Sequence, residues 1–143
     1  HCASLGHAAD LDKPSAPRVP AFELFARLMD ERAHESLLLG DVSAVLQINR
    51  KVDIARTLIE RDDWHGRLLH GSDYPLPCIP VLTRPQRLAN AGLLDAKAVP
   101  VLLQLREHNP LLFDFVLKRS VRVGARGLSA AVFDTHRHFS ARS

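Results

Sequence analysis

The run Leu68-Leu69-His70-Gly71-Ser72-Asp73-Tyr74-Pro75-Leu76-Pro77 constrains the fold more than any other stretch of this chain. A short apolar segment ends in small residues, then a carboxylate, then a proline-rich loop. It reads as a buried strand over residues 67–70 that delivers Asp73 just past its C-terminal end, where the chain must turn. Pro75, Pro77 and Pro80 fix φ and push Tyr74, Leu76 and Ile79 towards extended backbone. The loop should therefore be stiff, which suits a carboxylate that has to point one way. An Asp in this place is also a common helix cap or turn former, and the residues alone leave both readings open.

The flanking sequence repeats the pattern. Residues 36–45 contain Leu37-Leu38-Leu39-Gly40-Asp41, an apolar run without alternation that fits a strand covered on both faces, as in a parallel sheet. Between the two runs, residues 49–61 place Val52, Ala55, Leu58 and Ile59 on one helical face. Upstream, residues 20–34 carry the apolar stripe Phe22, Phe25, Leu28 and Met29, with Pro20 tolerated in the first turn. Glu23 in the first turn and Arg32 and His34 in the last suit the dipole of that helix. Downstream, helices are predicted over 83–91, over 96–107 with Asp95 as cap, and over 110–118, started by Asn109-Pro110. Strands alternating with helices argue βαβ units and a parallel sheet. Two internal strands cannot close a sheet, so the expectation is one part of a larger α/β domain. The opening His1-Cys2, without an initiator Met, is read the same way.

An apolar content of 46% with 24% charged residues places the chain among globular proteins and not disordered ones. No apolar run approaches the roughly 20 residues that cross a bilayer, and no secretory signal is present. Cys2 and Cys78 suggest no disulfide framework, and two free thiols fit a cytoplasmic protein. Charge is uneven. Residues 1–117 hold 13 Lys/Arg against 15 Asp/Glu, whereas residues 118–143 hold six against Asp134 alone. A basic tail can meet nucleic acid, but the aromatics here are only Phe133 and Phe139. A solvated terminal segment over 119–143 is the plainer reading, and nucleic acid is not an expected partner.

His1, Asp41 and Asp73 are spaced by 40 and 32 residues, about one βα unit each. That spacing sets all three at the C-terminal ends of successive strands, the rim on which (β/α)8 barrels build their active sites. Leu69-His70-Gly71-Ser72-Asp73-Tyr74-Pro75 resembles the last-strand GSDYP/GTDYP motif of the amidohydrolase superfamily. The match is closest to the metal-dependent hydrolases and decarboxylases related to aminocarboxymuconate-semialdehyde decarboxylase. Gly40-Asp41-Val42-Ser43-Ala44 is similar to the seventh-strand segment of that branch. Asn109-Pro110-Leu111-Leu112-Phe113-Asp114 resembles the helix after the barrel, and His1-Cys2 the end of the sixth strand. The resemblance covers residues 1–118. It implies an α/β fold, the C-terminal part of a TIM barrel with its last two to three βα units and trailing helices.

In such families a divalent cation at the barrel mouth, commonly Zn²⁺, activates a water by lowering its pKa from about 15.7 to about 7. By resemblance, Asp73 binds the metal or takes the proton of that water, and His1 is a ligand or general acid/base. Asp41 is at most an orienting group behind them, with a structural cap as the alternative. The implied activity is hydrolysis of a small C–N or C–O bonded substrate. Decarboxylation at the same site, or a non-catalytic remnant, are the alternatives.

The family's first-strand His-x-His and its fifth-strand ligand have no counterpart ahead of His1. One His and one Asp fall short of the three protein ligands of a usual catalytic zinc. The chain alone is therefore not expected to catalyse, and the remaining part of a barrel or a second copy is an expected partner. His136-Arg137-His138 looks like the His-x-His motif at the wrong end. In a strand the two histidines would share a face, although coincidence is the plainer reading. His34, His65, His70 and His108 read as structural, and His7 follows His1 in a loop that could meet substrate. An apolar helix over 110–117 and an open barrel edge predict a sticky protein.

Overall fold

The structure, a computed structural model, describes residues 1–139. The chain begins in a tight turn, with the Ser4 N–H donating to the His1 carbonyl at 3.0 Å. The polar loop that follows is closed at its neck by an antiparallel pair, β1 (His7–Ala8) with β2 (Val19–Pro20). Arg27 braces the loop from outside, donating to Asp10 at 2.7 Å and to Asp12 at 2.9 Å. That guanidinium holds the Asp10 carboxyl down at about 2.

Helix α1 (Ala21–Asp30) buries Phe25 and Met29, two members of the predicted stripe. It is shorter than residues 20–34, because Pro20 stands at the cap and the chain tightens into a 3₁₀ turn, Arg32–His34. The strand predicted over 36–45 shrinks to β3 (Gly40–Asp41), and Leu37 is 79% exposed. Helix α2 (Val52–Glu60) buries Ile54, Ala55, Leu58 and Ile59, and a 3₁₀ turn, Asp62–Arg67, leads into β4 (Leu68–Leu69). The two short strands are parallel, with Gly40 opposite Leu68 and Asp41 opposite Leu69. A parallel pair needs a crossover connection, and α2 supplies it. Among the described residues this is the one parallel ladder, and no closed barrel forms.

Close approach of the β3 backbone to its neighbours demands glycine. A Cβ on Gly40 would lie 2.8 Å from Leu68 Cδ2 and from Phe25 Cζ. Below the ladder Trp64 is buried, edge-on to Phe25 with ring centroids 6.1 Å apart. Its indole N–H donates to Asp30 at 3.1 Å, so the polar end of the ring is satisfied.

Helices α3 (Pro85–Asn90), α4 (Val99–His108) and α5 (Pro110–Ser120) complete the body, with α4 packed along α5. The Asn109 side chain caps α5 by accepting from the Leu112 N–H at 2.9 Å. Despite its apolar sequence, α5 buries only one face, and that face holds Phe113, Asp114, Leu117 and Lys118.

Beyond α5, residues 121–139 are not a solvated tail. β5 (Arg122–Val123) and β6 (Arg126–Gly127) form a hairpin whose turn puts Gly124 at φ +59°, a conformation that glycine adopts without strain. Helices α6 (Ala130–Phe133) and α7 (His136–Phe139) follow. Val121, Leu128 and Val132 enter the core, and the His70 N–H donates to the Val132 carbonyl at 2.8 Å. Among the described residues, Arg122, Arg126 and Arg137 of this segment lie on the surface and bond to backbone. Arg126 reaches the Glu60 carbonyl at 3.1 Å and Arg137 the Gly66 carbonyl at 3.1 Å. No helix among the described residues is long and apolar enough to cross a membrane.

Candidate functional site

Three segments meet beyond the C-terminal end of the β3–β4 ladder. Asp41 closes β3, Asp73 follows β4 by four residues, and His1 comes from the N-terminal turn. The Asp41 carboxylate accepts from the Ser43 N–H at 2.8 Å and from the Ser43 hydroxyl at 2.6 Å. His1 Nδ1 stands 2.6 Å from Ser43 Oγ and 3.0 Å from Asp41 Oδ2. These distances agree with a proton on Nδ1 shared between Ser43 and Asp41, while the serine hydroxyl donates onward to the carboxylate. The other edge of the ring is turned towards Asp73, with Nε2 3.7 Å from Asp73 Oδ2.

Asp73 is held in the left-handed region at φ +57°, where Asp is better tolerated than most residues. The proline loop behind it tightens into a 3₁₀ turn, Leu76–Cys78, with the Leu76 N–H bonded to the Asp73 carbonyl at 2.9 Å. Gly71 lies close to Asp41: a Cβ there would stand 3.1 Å from Asp41 Oδ1, a tight contact that the carboxylate would have to relieve by a small shift.

An open cleft of about 240 Å³ faces these groups, lined by Asp41, Ser43, His70, Gly71, Asp73 and Phe139. The His70 ring packs against Phe115 and Phe133, with centroids 5.6 and 5.2 Å away. Burial, with the positive charge of Lys118 as a lesser cause, pushes its pKa down to about 4, so it is neutral at ordinary pH. Beneath the cleft, the fully buried Lys118 donates to the Gly71 carbonyl at 2.8 Å and to Asp114 at 2.7 Å. Burial drives this pair towards neutrality from both sides, the Asp114 carboxyl up to about 6 and the Lys118 ammonium down.

The structure thus brings together His1, Asp41 and Asp73, which the spacing singled out. Asp41 does more than cap a turn, because it touches His1 directly. Ser43, Gly71 and Lys118 escaped the sequence reading. Ser43 is two residues from Asp41, in the spacing of a side chain that bonds locally to the backbone. Lys118 carried a signal as well: with Asp114 it is an i, i+4 acid–base pair inside an apolar helix. His65 is structural, bonded through Nε2 to the Leu58 carbonyl at 2.9 Å and through Nδ1 to the Ser129 N–H at 3.3 Å.

A zinc fits this site incompletely. His1 Nε2 and Asp73 Oδ2 face each other, but Asp41 is occupied on the opposite edge of the imidazole and cannot join them on one ion. Among the described residues no three His, Cys, Asp or Glu side chains converge as a metal site. His136 and His138 lie in α7, where residues two apart point to different sides, so the shared face of a strand is not available to them. The groups that are present can orient an imidazole, hold a proton at Nε2 or at the Asp73 carboxylate, and offer two donor atoms to a ligand. Comparison of the chain with protein-family models, with curated proteins and with solved structures finds no match.

Proposed function

We propose that this chain contributes the His–Asp part of a metal-dependent hydrolase site of amidohydrolase type, acting on a small-molecule substrate. The observation that carries the reading is the meeting of His1 and Asp73, 72 positions apart, with the ring edge opposite Asp73 held by Asp41. The β3–α2–β4 unit, with its acids just past the C-terminal strand ends, supports a place among the last units of a (β/α)8 barrel. Asp73 supplies a carboxylate to the cleft. Asp41 and Ser43 hold the Nδ1 edge of His1, so that Nε2 is the position left to exchange a proton. Because the described residues do not complete a zinc site, the reading requires further ligands from beyond them.

The test is metal content in the longest natural polypeptide that carries this sequence, with and without Asp73→Ala. The expected result is about one divalent ion per chain, with zinc as first candidate, lost in the variant. Equal metal in both proteins, or none in either, overturns the reading and favours a non-catalytic role.

A further inference from the structure

We propose that Lys118 is a positioning residue of this site: its buried amino group holds the Gly71 carbonyl and thereby fixes the turn that aims Asp73 at His1. The inference rests on Asp73 being functional, as argued above. Lys118 is 0% exposed, on the inner face of α5, with Nζ 2.8 Å from the Gly71 carbonyl and 2.7 Å from Asp114 Oδ2. Stability is a poor reason for such a pair, since apolar residues of similar volume commonly replace a buried ion pair with no loss. Its placement supplies a better reason.

Strand β4 ends at Leu69, and the next N–H, that of His70, is taken by Val132. The Gly71 carbonyl then meets Lys118, two residues ahead of the left-handed Asp73. Gly71 also lies against Asp41, where a Cβ would stand 3.1 Å from Oδ1. One glycine therefore touches the orienting carboxylate on one side and the lysine on the other, and leads directly into Asp73. The groups acting on Lys118 come from every element around it: Asp114 from its own helix, Asp41 from β3, Asp73 from the loop and His70 beside β4. The three acids favour its charged form, against burial.

The experiment uses the longest natural polypeptide that carries this sequence and measures backbone amide order parameters by NMR. In the double variant Lys118→Met/Asp114→Leu, the fold is expected to persist by its melting curve. Order parameters at residues 71–74 are expected to fall from about 0.85 to below about 0.6, while those of α5 stay unchanged. In Asp114→Asn the lysine still reaches Gly71, and residues 71–74 are expected to keep their order. Unchanged order at 71–74 in the double variant overturns the proposal. So does a fall below about 0.6 at 71–74 in Asp114→Asn, where the lysine remains, and this can be read even where the double variant does not fold. Failure of the hydrolase reading appears elsewhere, in the metal content of Asp73→Ala.

Discussion

Asp41 Oδ2 lies 3.0 Å from His1 Nδ1, although the two residues are 40 positions apart. The same carboxylate holds both the N–H and the hydroxyl of Ser43. Asp41→Ala strands the Ser43 N–H and leaves its hydroxyl only His1 Nδ1, and is expected to cost about 1–3 kcal/mol of stability. Asp41→Asn keeps an acceptor oxygen and should lose clearly less. Urea unfolding measures both, and equal losses would remove the carboxylate from the role described.

Gly40 and Gly66 differ in what surrounds them. A Cβ on Gly40 meets Leu68 and Phe25 at 2.8 Å, whereas one on Gly66 meets nothing within 4 Å. Gly40→Ala is expected to destabilise by about 1–3 kcal/mol through overpacking. Gly66→Ala should stay within about 0.5 kcal/mol of the parent. Similar melting curves for the two variants would contradict the close approach of β3 to α1.

Leu128 and Leu37 reverse what their neighbourhoods in sequence suggest. Leu128, in the arginine-rich segment, is 7% exposed, and Leu37, in an apolar run, is 79% exposed. Leu128→Ala is expected to cost about 2–5 kcal/mol, and Leu37→Ala no more than about 0.5 kcal/mol. Chemical denaturation of the two variants decides the matter. A larger loss at Leu37 would return the C-terminal segment to solvent.

His70 predicts an acid-sensitive fold. Its pKa is about 4 when folded against an ordinary value of 6.5, so the unfolded chain binds the proton more readily. The stability it contributes is complete above pH 6.5 and is lost as pH falls through 4. His70 Nδ1 has no hydrogen-bond partner among the described residues. His70→Phe should therefore be tolerated against Phe115 and Phe133, and its melting temperature should fall less between pH 6.5 and pH 4. A parallel fall in both proteins would place the acid sensitivity elsewhere.

Much of the helical pattern was legible from Phe25, Met29, Leu58 and the Asn109 cap, because helix periodicity and capping are local properties. The meeting of His1, Asp41 and Asp73 was legible as spacing. Strand length was not. Leu37-Leu38-Leu39 has the composition of a strand, but a ladder extends only where a partner backbone lies alongside, and β4 offers two residues. Lys118 was counted with the tail charges, although its i, i+4 spacing from Asp114 inside an apolar helix is a local sign of a buried pair. Val121, Leu128 and Val132 were hidden in the same way by the arginines around them.

The two cysteines differ in a way that composition does not reveal. Cys2 is buried, its thiol donates to the Asp41 carbonyl at 3.1 Å, and burial pushes its pKa up to about 12. At neutral pH that thiol stays protonated, and it is the thiolate that reacts. Cys78 is exposed, at the end of the turn that follows Asp73. The native sequence therefore comes ready for single-site labelling: a maleimide dye or spin label added without mutagenesis should attach at Cys78 and report motions of the proline loop beside the cleft.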